Sequence, residues 1–94
     1  IDTGVSGEIA HKVGNILMRL SENHQLIAIT HLPQIAAKGQ HHLFVYKSTD
    51  AASTSTNIKL LNKTERLNEI AKMLSGENPT KAAIQNAKEL LLQA

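Results

Sequence analysis

One short stretch constrains this chain more than any other. Residues 25–30, Gln-Leu-Ile-Ala-Ile-Thr, are apolar and uncharged, and they run straight into the polar, proline-containing turn His31-Leu-Pro-Gln34. A run of that kind reads as a buried parallel strand, because cover on both faces removes the alternation of a half-exposed strand. Thr30 and His31 stand at its carboxyl end, where open α/β sheets gather their ligand-facing residues. An imidazole there can donate a hydrogen bond to a phosphate oxygen or a water, and it changes charge near neutral pH. It can equally do no more than cap the strand end.

The flanking segments frame that strand. Residues 1–7 (IDTGVSG) combine two glycines with Asp2, Thr3 and Ser6, which is loop chemistry. Ser6 or Gly7 can start a helix, with Glu8 favourable in its first turn. Ile9, Val13, Ile16, Leu17 and Leu20 then repeat at helical spacing and predict one apolar stripe. A short helix over 33–38, with Pro33 in the first turn and Gly39 as its stop, follows the strand. Residues 42–49 and 54–62 read as two β-runs, the second with Thr56, Ile58 and Leu60 on one face. They predict a hairpin over 41–62, an antiparallel edge on a mostly parallel sheet. Two helices close the pattern over 64–92. Thr64 and Thr80 stand at N-cap positions, and Gly76 is the stop between them. Their stripes are Leu67, Ile70, Ala71 and Leu74, then Ala83, Ile84, Ala87, Leu90 and Leu91. The expected order is α-β-α-β-β-α-α.

Composition narrows the partners. Ninety-four residues make one domain or part of one. The formal charge of +2 gives this segment no electrostatic case for strong nucleic-acid binding. With no cysteine there is no disulfide framework or thiolate metal site, which fits a cytosolic protein. No apolar run nears the roughly 20 residues that span a bilayer, so no membrane partner is expected. The chain opens on Ile1, inside a glycine-rich loop, and reads as a piece of a longer protein.

Several chemistries find no support in the motifs. The loop at 1–7 could present amides and short oxygen side chains to an anion or a partner, but it is no phosphate loop, lacking GxxxxGK[ST] and its lysine. Asp2-Thr3-Gly4 resembles the aspartic-protease triplet, which lies well inside a β-rich chain rather than at residue 2 of a helical one. His41 and His42 are adjacent and would point to opposite faces of a strand. His11 and His24 have no carboxylate at ligand spacing, and HExxH is absent, so no metal is expected. The G-x-S-x-G elbow is also missing. Lys63/Arg66 and Lys81/Lys88 read as solvated helix faces.

Taken together, IDTGVSG, one amphipathic helix and an apolar strand ending THLPQ resemble the C-terminal end of the bacterial RecN family. These are SMC-like ATPases with an ABC-type head and a long coiled coil. The likeness continues through Ile35-Ala36, the hairpin entered at His41-His42, and residues 65–76, so it covers nearly the whole chain. It implies the α/β C-terminal portion of a P-loop ATPase head, with a short parallel strand and a β-hairpin flanked by helices. Residues 1–7 would be the D-loop, with Asp2, Thr3, Gly4 and Ser6 at the nucleotide and dimer interface. Residues 25–31 would be the strand of the switch histidine, His31 facing the γ-phosphate, with Thr30 and Gln34 supporting it. Ser6 stands where other SMC-like heads often have an aspartate.

The resemblance further implies ATP and Mg²⁺ in the intact parent, none of it tightly held by this piece. Implied partners are the rest of the head, a second head in a homodimer, and DNA through the parent, in a cytoplasmic, nucleoid-associated protein acting in double-strand break repair and recombination. The phosphate-cradling lysine and the water-polarising acid are not in these residues, so the piece alone is expected to be inactive. The rival expectation is a non-catalytic α/β protein-interaction module. Cover decides between them: apolar stripes left bare favour the larger head, and a self-contained fold favours the module. A small His-dependent enzyme would need a base–nucleophile pair that is not identifiable.

Overall fold

The structure, a computed structural model, describes residues 6–50 and 52–93. Its elements are α1 (Gly7–Leu20), α2 (Pro33–Ala36), β1 (Leu43–Thr49), β2 (Thr54–Leu60), α3 (Lys63–Ser75) and α4 (Lys81–Gln93). β1 and β2 form a two-stranded antiparallel sheet, in register from Leu43 opposite Leu60 to Thr49 opposite Thr54.

The core lies between the last two helices. Ile70 and Ala71 of α3 meet Ala83, Ala87 and Leu90 of α4, and Ala37 closes one end of the cluster. Alanines at this contact let the two helix backbones approach closely, while Leu67, Met73, Leu74, Ile84 and Leu91 pack around them. Both stripes expected from the sequence are the ones buried here. The helix ends are secured locally. The Asn62 side chain accepts from the Glu65 amide at 2.8 Å, and Glu65 accepts from the Asn62 amide at 3.0 Å, a reciprocal capping box. The cap is thus Asn62 rather than Thr64, because only Asn62 has a glutamate three positions on to return the bond. Gly76 ends α3 at φ +99°, a backbone region that glycine enters without strain. The Thr80 hydroxyl accepts from the Ala83 amide at 3.0 Å and starts α4.

The first half of the chain is arranged differently. Ser6 caps α1, accepting from the Ile9 amide at 3.4 Å. The residues α1 buries are Ala10 and Gly14, not its large aliphatic stripe: Ile9, Ile16 and Leu20 stay about half exposed. Its cover is α2, a single turn, which seats against the small-residue face. A methyl group at Gly14 would stand 3.0 Å from Lys38 Cγ and 3.3 Å from the Gln34 carbonyl oxygen.

The largest departure from expectation is at residues 25–30. They form no strand, and Ile27 and Ile29 are 81% and 93% exposed. A parallel strand exists only through ladders with its neighbours. The one sheet among the described residues is the hairpin, which pairs with itself. The expected α-β-α-β-β-α-α order is therefore α-α-β-β-α-α. No helix among the described residues is long and apolar enough to cross a membrane.

Candidate functional site

The segment from Thr30 to Gln34 makes a defined corner. The Thr30 hydroxyl accepts from the Leu32 amide at 3.0 Å, a local side-chain bond that brackets His31. Leu32 then stands as an extended N-cap (φ −97°, ψ 123°), and Pro33, buried, begins α2 with its φ already fixed. Ile35, also buried, anchors the far side of the turn. His31 itself is exposed, held on the outside of a corner whose next residues are seated in the protein.

Gln34 connects this corner with the start of α1. It is half-buried, and a methyl group at Gly7 would lie 3.3 Å from its Nε2. The end of the 1–7 loop and the THLPQ corner are thus neighbours, so Ser6 and Gln34 belong to one region of the surface. Asp2, Thr3 and Gly4 lie outside the described residues. Among those described, no group of three or more His, Cys, Asp or Glu side chains could hold a metal ion.

Behind the corner is a contact that sequence reading missed. Arg66, expected on a solvated face, is half-buried, and its guanidinium donates to the carbonyls of Ala36 at 3.0 Å and Ala37 at 3.1 Å. It also donates to the Gly39 carbonyl at 2.5 Å. Ala36 and Ala37 close α2 and Gly39 lies in the turn just past it, where carbonyls run short of backbone donors and a cationic side chain is suited. The signal was in the spacing, since Arg66 precedes the buried Ile70 by four and so shares its face. Burial lowers the Arg66 pKa from its ordinary value. Lys38, two residues past the end of α2, donates to the Gln93 carbonyl at 3.1 Å and ties the same region to the end of α4.

His42 sits beside Arg66. Its pKa is lowered, first by burial and then by the Arg66 charge, against a smaller opposing pull from Glu69. On the outer side of α3, Phe44 and Tyr46 stack with ring centroids 5.8 Å apart, and Lys59 pairs with Glu65. With Leu61, Asn68, Glu69 and Lys72 they line a shallow, open cleft of mixed charge.

No protein-family model matches the chain. Curated relatives do. The DNA repair protein RecN of Vibrio cholerae is 44% identical over 94 residues, which is all of this chain and 17% of the relative. That of Rickettsia conorii is 47% identical over 91 residues, 97% of this chain and 17% of the relative. That of Bacillus subtilis is 40% identical over 94 residues, 100% of this chain and 16% of the relative. The chain spans about one sixth of the length of the curated relatives it matches.

Proposed function

The chain belongs to the RecN family along its whole length, and from that premise we propose that it is part of the ATPase head of a DNA repair protein. In this reading residues 1–7 are the D-loop and His31 is the switch histidine. The exposed imidazole donates to the γ-phosphate oxygen, and the next corner residues keep it in reach. A donor at that point separates ATP from ADP through one extra phosphate, the kind of contact that matters when charge shifts during phosphoryl transfer. Ser6 and Gln34 lie where one region would report nucleotide state to a second head.

The corner fits one contact to a nucleotide, not a whole nucleotide site. His31 offers a donor and Thr30 a hydroxyl, but these residues contain no phosphate-loop lysine and no carboxylate cluster suited to Mg²⁺. ATP and Mg²⁺ would rest chiefly on residues of the rest of the head, supplying the phosphoryl group and the charge that neutralises it. DNA, a second head and a cytoplasmic setting follow from the same reading.

The observation that carries the proposal is the uncovered surface that accompanies the family match. Ile27 and Ile29 are bare and Ile9, Ile16 and Leu20 of the α1 stripe are about half exposed, which supports packing against further polypeptide over a self-contained interaction module. The test is His31→Ala in the full-length protein. ATP turnover is expected to fall by about a hundredfold or more, as when a preorganised donor is removed, with ATP binding and the fold retained. Unchanged turnover would remove His31 from the reaction.

A further inference from the structure

We propose that Arg66 is the positioning residue for His31, acting through the carbonyl end of α2. The proposal rests on the reading of His31 given above. α2 is four residues long, far below the length at which a helix holds itself together. Its geometry is therefore set by the seating of buried Pro33 and Ile35 and by what grips its two ends. At the front, the Thr30 hydroxyl and Pro33 fix the entry, with His31 between them. At the back, one guanidinium gathers three carbonyls, from residues 27 to 30 positions earlier in the chain. No other side chain ties α2 to α3 by hydrogen bonds among the described residues. Arg66 thereby carries the position of a rigid, core-forming helix to the one turn that aims the histidine. All three contacts come from one nitrogen, Nη2, whose two N–H groups are shared among the carbonyls. A lysine brings an ammonium with the same charge and its own donors on a different stem, so it can restore part of the grip.

The full-length protein tests this with Arg66→Ala, Arg66→Lys, His31→Ala and the Arg66→Ala/His31→Ala double variant. With Arg66→Ala, kcat for ATP is expected to fall about tenfold while KM stays within about twofold, the mark of lost transition-state alignment rather than lost binding. Arg66→Lys should recover part of the loss. Backbone hydrogen exchange at residues 34–39 should quicken in Arg66→Ala, with α4 amides as protected as before. On the His31→Ala background, removing Arg66 should cost nothing further, since a group that acts only through His31 has nothing left to position. Wild-type kcat in Arg66→Ala, or a loss that multiplies in full with that of His31→Ala, would overturn the proposal. Should Arg66→Ala fail to fold, Arg66→Met, which keeps the aliphatic stem and removes every donor, decides: a folded variant with wild-type kcat and unchanged exchange at 34–39 overturns it. An inert His31→Ala has a different meaning, since it sinks the γ-phosphate reading itself, and the role given to Arg66 falls with it.

Discussion

Ile70 in α3 and Ile29 in the apolar run before the THLPQ corner are the same side chain in two opposite settings. Ile70 is fully buried, at 0% exposure, in a contact closed by α4 and Ala37. Ile29 is 93% exposed. Each belongs to a segment whose pattern demands cover, and the chain itself satisfies one demand and not the other. The same contrast separates the stripe of α3 from that of α1, where Ala10 and Gly14 are buried and Ile9, Ile16 and Leu20 are half bare. Burial depends on what stands opposite a residue as much as on the residue.

Truncating both isoleucines is the strongest way to break this comparison. In the 94-residue chain, Ile70→Ala is expected to cost about 2–4 kcal/mol in urea unfolding, the range for removing a buried aliphatic side chain. Ile29→Ala should stay within about 0.5 kcal/mol there, as for an ordinary surface change. In the full-length protein the second value should rise toward the first. An Ile29→Ala cost above about 1.5 kcal/mol in the short chain would mean that the two settings are alike after all.

A cap tests the self-sufficient side of the comparison at smaller scale. Asn62→Ala removes the acceptor for the Glu65 amide and should cost about 1 kcal/mol, read by thermal unfolding of the same chain. The cost should be similar in the full-length protein, because the capping box is local to residues 62–65.

The smallest effect concerns pH. The His42 pKa is lowered below its ordinary 6.5 by burial and by Arg66, so the unfolded chain takes up a proton there before the folded one does. Stability from this group is complete above 6.5 and is lost as pH falls from there through the lowered folded pKa. The unfolding midpoint should decline over that window, and His42→Gln should reduce the decline. Equal slopes in both proteins would remove His42 from that linkage.

What the sequence made legible follows the same division. The stripes of α3 and α4, the hairpin face of Ile58 and Leu60, and the Ser6 start of α1 rest on interactions within a few residues or between adjacent elements, where spacing is a sufficient guide. The strand expected over 25–30 needed ladders from elsewhere, and the orientation of α1 needed to know that a single turn of helix would meet its small-residue face. Asn62 was overlooked because Thr64 is also a capping residue, although the glutamate at 65 distinguishes them. Arg66 was read as a solvated charge because a long-range bond to carbonyls leaves no local mark beyond its place on the Ile70 face. At the candidate site, His31, Thr30 and Gln34 are proposals of the sequence pattern, and the fold adds that Gln34 adjoins Gly7 and that α2 is gripped from behind.

The hairpin carries a consequence for how this polypeptide behaves at high concentration. Each of its strands has one neighbour among the described residues, so each also has an outer row of amides and carbonyls. One face is aliphatic, with Leu43, Val45, Ile58 and Leu60 all more than half exposed. An open edge beside an apolar face is a template for pairing with another copy. Lys47 follows Val45 on that same face, opposite Thr56, and pairing of two β1 edges around Lys47 would bring its charge near a like one. Lys47 is therefore placed as a charge that opposes self-assembly along the apolar face of the hairpin.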